Sequence, residues 1–188
     1  VSGQRAFVAV EVADKCRARL EKLLPGLGRE VKSRMTWTRP ENWHLTLKFL
    51  GQLEPDRITA AKDALKGVPF EPFTIRPGGG GVFPGMKKPN VLWVGLNAGG
   101  PECAALARGI NEALAPLGFP EGRPFLPHLT LGRVKLEKGD DWRKLLKELR
   151  KVEWPSFTVR RFCLFRSTLR SNGPLYTELA AYGPGARG

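Results

Sequence analysis

His44-Leu45-Thr46-Leu47 and His128-Leu129-Thr130-Leu131 are the same tetrapeptide, and they begin at the only two histidines of a 188-residue chain. With Leu at about a tenth and Thr at about a twentieth of average usage, the second copy has a chance of roughly one in two thousand of arising by coincidence. The offset of 84 residues (128 − 44) also carries Arg39-Pro40 onto Arg123-Pro124 and Phe73-Thr74-Ile75-Arg76 onto Phe157-Thr158-Val159-Arg160 without a gap. Three matched segments in register indicate two duplicated halves.

The surrounding pattern repeats as well. Arg5–Val12 and Val91–Leu96 are rich in β-forming residues, and each precedes a helical pattern, at Asp14–Leu24 and Pro101–Leu117. After each histidine strand comes a further helix, over Pro55–Lys66 and Asp140–Lys151, opened by Pro55-Asp56 and Asp140-Asp141. The glycine-rich run Arg76–Gly81 with Phe83-Pro84-Gly85 reads as a loop in which no regular element persists, and so as the boundary between lobes. Leu175–Ala181 reads as a closing strand and Gly183–Gly188 as a frayed end. One domain is expected, built of lobes at about 1–80 and 89–182, since separate domains of that size would have small cores.

Composition narrows the partners. Thirty-one Lys and Arg against eighteen Asp and Glu give a net charge of +13, which favours polyanions and makes nucleic acid the leading class. Cys16, Cys103 and Cys163 are odd in number and far apart, so neither a disulfide framework nor a zinc site is indicated, and a reducing cytoplasmic setting fits. The apolar run Ala6–Val12 is broken by Glu11 and too short for a signal peptide or membrane span.

The duplicated motif has its own chemistry. Side chains alternate along a strand, so His44 and Thr46 face one way while Leu45, Leu47 and Phe49 face the core, and His128 with Thr130 repeats the arrangement. Packing alone has no reason to repeat the polar face. In-line phosphoryl displacement needs a proton acceptor and a proton donor on opposite sides of phosphorus, and one imidazole from each half meets that need. Thr46 and Thr130 are placed to donate hydrogen bonds to non-bridging oxygens. Two histidines without a Cys partner, an H-E-x-x-H motif or a carboxylate cluster leave metal coordination incomplete, so no metal and no cofactor are expected. Gly78–Gly81 lacks the Lys-Ser/Thr of a phosphate cradle. Trp37, Trp43, Phe83 and Phe165 are candidates for stacking on a base, each with packing as the competing role. Basic runs at Arg143-Lys144, Lys147, Arg150-Lys151 and Arg160-Arg161 could follow an RNA backbone or simply be solvated.

The paired His-Leu-Thr-Leu motifs resemble the 2H phosphoesterases, and within them the RNA 2′,3′-cyclic phosphodiesterases once described as 2′-5′ RNA ligases. Further matches are Arg5–Val10, Pro40-Glu41-Asn42-Trp43, Lys48-Phe49-Leu50-Gly51, Val82-Phe83-Pro84, Pro89–Trp93, Phe125-Leu126-Pro127, Ser167-Thr168-Leu169 and Gly173-Pro174-Leu175-Tyr176. The resemblance implies an α+β, bilobal fold: two pseudo-symmetric lobes of antiparallel sheet with outer helices around a central cleft. It further implies that His44 is the general acid protonating the departing 3′ oxygen, that His128 is the base activating water, and that a 2′-phosphate is left. Sequence symmetry alone does not assign these roles.

The same resemblance gives Arg133, five residues after His128, a phosphate contact, although strict alternation puts it on the wrong face unless the strand bulges near Gly132. The expected partner is RNA with a 2′,3′-cyclic phosphate end, tRNA-derived ends included, acted on by a monomer without membrane involvement. Competing readings are an RNA-end binding module, a 2′-5′ RNA ligase acting by the reverse reaction, and an enzyme for small cyclic nucleotides or cyclic ADP-ribose phosphate.

Overall fold

The apolar run Ala6–Val10, buried on both faces, forms the middle of strand β1 (Gln4–Glu11), which leads into helix α1 (Asp14–Glu30). The computed structural model describes residues 3–122, 124–171 and 173–184; Arg123 of the matched pair and the expected frayed end at 185–188 lie outside the described residues. Strands β2 (Arg34–Trp37) and β3 (His44–Leu53) follow, then α2 (Pro55–Leu65) and β4 (Phe73–Phe83). The second half continues with β5 (Val91–Ala98), α3 (Gly100–Leu114), β6 (Leu129–Leu136), α4 (Trp142–Arg150), β7 (Phe157–Val159), β8 (Phe162–Arg170) and β9 (Gly173–Tyr182). None of the described helices is long and apolar enough to cross a membrane.

The helices start where local chemistry favours them. Pro55 opens α2 with its fixed φ, and the Asp141 carboxylate caps α4 by accepting from Lys144 N at 3.0 Å. The carboxylate of Asp140 instead accepts from Lys32 N (2.5 Å) and Ser33 N (2.9 Å), tying the entry of β2 to the start of α4. Helix α1 runs six residues past the expected Leu24, through Pro25, because Leu27 continues its buried face.

All the paired strands are antiparallel, in the order β7-β4-β5-β6-β3-β1-β8-β9, with β2 beside the far end of β6. This is an α+β fold with a strongly curled sheet. The centre of the order lies between β6 and β3, which meet at one residue pair, Leu45 with Leu129. At the outer seam β4 pairs with β7, Thr74 opposite Thr158. Both pairs join a residue to its own counterpart in the repeat, so one pseudo-two-fold axis passes through both.

The repeat halves do not each close a lobe of their own. Strand β4, which ends the first half in sequence, pairs with β5 of the second, while β8 and β9 sit beside β1. Halves at 1–80 and 89–182 are therefore interleaved rather than juxtaposed.

The glycine run is also not a loop. Gly78–Gly81 lies inside β4, where the register against β5 slips between Gly78 and Gly81. A Cβ on Gly81 would overlap the Trp93 indole, and one on Gly78 would overlap the Asn97 amide. Glycine here lets a bulged strand pass under two side chains of its neighbour.

The main core fills the space between one face of the sheet (Val8, Val10, Leu45, Leu92, Leu129, Leu131) and the helices, through Leu20, Ile58, Leu65, Ile110 and Leu149 among others. A small second cluster of Phe7, Ala9, Cys163 and Phe165 lies on the opposite, concave face. Replacing Gly81 by Ala overpacks the Trp93 contact; we expect about 1–3 kcal/mol of destabilisation, read as a lower midpoint in urea unfolding, whereas Gly85→Ala, whose Cβ meets nothing within 4 Å, leaves it unchanged.

Candidate active site

The Leu45–Leu129 pair organises the concave face. Both leucines point into the core and are buried, so their neighbours point into the cleft. Continuing the antiparallel register one step either way sets His44 opposite Thr130 and Thr46 opposite His128. Two imidazoles and two hydroxyls thus share one small patch, related by the pseudo-two-fold axis.

Past the motifs, both strands break the alternation at the same place. In β3 the register runs Ala9 with Thr46 and then Val8 with Lys48, so Leu47 is an extra residue. In β6 it runs Trp93 with Thr130 and then Leu92 with Gly132, so Leu131, its counterpart, is extra too. Each bulge turns the following residues over. Lys48 consequently points into the helix layer, where its ammonium donates to Asn111 Oδ1 and to Pro120 O (2.7 Å). Phe49, expected in the core, instead lies on the histidine face, 63% exposed, with its ring 6.2 Å from that of Phe7. Arg133 is brought onto the same face as His128, and its charge is among the influences lowering the His128 proton affinity.

Each imidazole is held by a matching bond. His44 Nδ1 lies 2.7 Å from Asn42 O, and His128 Nδ1 lies 2.8 Å from Leu126 O. A carbonyl can only accept, so in both rings Nδ1 carries the proton and donates, leaving Nε2 free for chemistry. Among the described residues neither Thr46 nor Thr130 has its hydroxyl engaged by a protein partner.

The environments of the two rings differ. His44 packs on Phe7 (4.8 Å between centroids) and takes the edge of Tyr176 (5.0 Å, 89°). Burial drives its pKa down to about 4, opposed by the Asn42 bond and helped by the charges of Arg17 and His128. His128 meets Phe83 edge-on (5.0 Å, 85°) with Trp93 beside it at 6.1 Å, and burial lowers its pKa as well. A cavity of about 120 Å³ adjoins His44, lined by Glu11, Arg17, Asn42 and Tyr176 among others.

The aromatic candidates separate cleanly. Phe83 touches His128. Phe165 stacks beneath Phe7 at 5.4 Å and is buried. Trp43 is buried in the core against Trp154, and Trp37 packs on the core face near Gly132. Tyr176 is the site residue that residue-level reading did not single out; it figured only in the Gly-Pro-Leu-Tyr match. Burial raises its hydroxyl pKa, eased by the charges of Arg133 and Arg5, and its ring lies 5.0 Å from those of both Phe7 and His44. Among the described residues one trio has metal-ligand spacing, Glu11, Cys163 and Glu178, and Arg161 already bridges its carboxylates at 2.5 and 3.1 Å.

Titration by long-range ¹H–¹⁵N NMR should show both histidines as the Nδ1–H tautomer near neutrality, with His44 protonating only near pH 4 and His128 below its usual 6.5.

The family model described as LigT-like phosphoesterase matches this chain twice, over residues 10–93 and 94–176. An Archaeoglobus fulgidus protein named RNA 2′,3′-cyclic phosphodiesterase is 35% identical over 178 residues, covering 95% of this chain and 99% of that protein. A Methanothermobacter thermautotrophicus protein of the same name is 34% identical, covering 95% and 97%. Among solved structures, one from Thermus thermophilus aligns with a TM-score of 0.78 at 26% identity, covering 98% of this chain and all of that one. Escherichia coli LigT in its apo form aligns with a TM-score of 0.76 at 22% identity, covering 97% and 98%. The double match, one copy for each histidine motif, and the full-length relatives place this chain in the LigT-like phosphoesterase family.

Proposed function

We propose that the protein opens 2′,3′-cyclic phosphates at RNA ends, with His44 as proton donor and His128 as proton acceptor and no metal taking part. The carrying observation is the mirrored His–Thr pairs facing each other across Leu45 and Leu129. Relatives at 34–35% identity over nearly their whole length bear the name of this activity, and the net charge of +13 suits an RNA substrate.

A cyclic phosphate seated between the imidazoles turns its 3′ ester oxygen toward His44 and leaves the opposite side of phosphorus to a water beside His128. His128 Nε2 removes a proton from water, the water oxygen bonds to phosphorus, and the bond from phosphorus to the 3′ oxygen breaks. His44 Nε2–H protonates that departing oxygen, so a 2′-phosphate remains, His128 has gained a proton and His44 has lost one. Thr46, Thr130 and Arg133 supply hydrogen bonds and positive charge to the non-bridging oxygens as charge gathers there. Exposed Phe49 offers a π face to the terminal base. Joining a 5′-hydroxyl to the cyclic end uses the same groups in the same roles, the hydroxyl standing in place of water, and cleavage of that 2′-5′ bond exchanges them.

Both rings are neutral in the free protein at pH 7, because burial disfavours their cations. Entry of a phosphodiester anion offsets that penalty and lets His44 take up its proton. In the free protein the proton that His44 must donate is lost as pH rises through about 4, and the neutral form that His128 needs as base is lost as pH falls through its own lowered value. The pH profile of kcat/KM should therefore be bell-shaped with its maximum on the acid side of 6.5; a maximum above about pH 7.5 contradicts it.

Incubation of a short RNA carrying a 2′,3′-cyclic phosphate in EDTA tests the proposal directly. The unaltered protein should yield a 2′-phosphate, and His44→Ala and His128→Ala should each lose at least about a hundredfold in rate. Activity restored only by a divalent metal, or a 3′-phosphate product, would overturn the mechanism. Arg133→Ala should lower kcat/KM about ten- to hundredfold, the scale of a hydrogen bond to a charged group, and Arg133→Lys should restore only part of it.

A further inference from the structure

Duplication offers an internal control, because each position near one histidine has a counterpart near the other. Arg133, Lys135 and Leu136, which follow the second motif, correspond to Phe49, Gly51 and Gln52 after the first. Beyond Leu129 the outer edge of β6 is occupied by β2, with Thr36 opposite Arg133 and Arg34 opposite Leu136. The counterpart of β2 is the loop around Gly118–Glu121, which forms no strand and lies next to β3 through Lys48 and Pro120. One end of the cleft is thus a two-stranded ribbon carrying Arg133, Lys135 and Arg34, while the equivalent end carries no basic side chain at those positions.

The ribbon is oriented by its own pairing. Met35 opposes Val134, and both pack on the core, so Thr36 and Arg34 on either side of Met35 turn to the face that holds Arg133. Lys135 is the extra residue at the register slip between Arg34 and Met35, and it is exposed, as are Arg34 and Arg133. Among the described residues none of the three forms an ion pair. Same-face residues along a strand are about 6.8 Å apart, close to the step between phosphates in an extended RNA strand. Arg133 and Lys135 lie two residues apart on β6, with Arg34 on the neighbouring strand, so cations line the ribbon outward from beside the reacting group, as a single-stranded backbone requires.

We infer that the RNA chain leaves the cleft across the β2–β6 ribbon, with Arg34 and Lys135 gripping phosphodiesters upstream of the cyclic end. This rests on the phosphodiesterase reading and deepens it: the protein prefers an oligonucleotide to a cyclic mononucleotide, and the preference resides in these two side chains.

The test compares the unaltered protein with the Arg34→Ala, Lys135→Ala double variant on two substrates, uridine 2′,3′-cyclic phosphate and an eight-nucleotide RNA with the same end. We expect the variant to match the unaltered protein on the mononucleotide, which also shows that it folds. On the oligonucleotide kcat/KM should fall roughly tenfold at low salt, and the slope of its logarithm against log salt should shrink by about 1.4, two single-strand phosphate contacts. Equal losses on both substrates, or no loss on either, would overturn the ribbon as the RNA path. If the unaltered protein opens neither substrate, the phosphodiesterase reading falls instead. Fluorescence anisotropy with the labelled oligonucleotide then decides the ribbon by itself, undiminished binding by the double variant counting against it.

Discussion

A single backbone pairing, Leu45 with Leu129, holds the two histidine strands together, and everything in the cleft is referred to it. Both side chains are fully withdrawn into the helix-covered core, where burying a leucine stabilises by about 1.5–3 kcal/mol relative to exposure. That apolar anchoring fixes which way each strand faces, because a shift of one residue would send the imidazoles into the core and the leucines into water. The arrangement of imidazoles and hydroxyls in the cleft is therefore enforced from beneath, by core residues that face away from it.

On this symmetrical frame the two halves have diverged in environment rather than in backbone. Both imidazoles donate from Nδ1 to the carbonyl two residues earlier, yet His44 is enclosed by Phe7 and Tyr176 while His128 is edged by Phe83 and Trp93. The enclosure of His44 accounts for the fall of its pKa to about 4, since burial penalises the cation. Matching bulges then present Phe49 on one side and Arg133 on the other. A repeated scaffold has become a directional site through a few side chains.

The fold class was legible through the repeat and the family resemblance, and the shared face of both histidines and both threonines through short-range alternation. What escaped depends on contacts distant in sequence. The bulges at Leu47 and Leu131 arise from pairing with β1 and β5, so simple alternation misplaced Phe49 and left Arg133 on the wrong face. Gly78–Gly81 carries the composition of a loop, and only the Trp93 indole lying across it explains why glycine belongs in a strand. Tyr176 reaches His44 from the far end of the chain, and no local pattern marks that approach. The repeat itself held a usable clue: Phe49 and Arg133 are counterparts, so whatever turned one toward the cleft had to turn the other.

The interleaving of strands has a consequence for how the molecule comes to exist. Strand β1 is completed by β8, joining Phe7 to Phe165 near opposite ends of the chain, and pairings of such long range form slowly because their loop entropy must be spent before any contact repays it. While the chain is being synthesised, β1 and β3 have an unpaired edge until β8 emerges, and β4 is finished before its partner β5 exists. Neither half can reach a closed state alone. In architectural terms the chain is a strand-swapped dimer of two copies covalently joined in tandem, whose single cleft exists only when both copies have traded their outer strands.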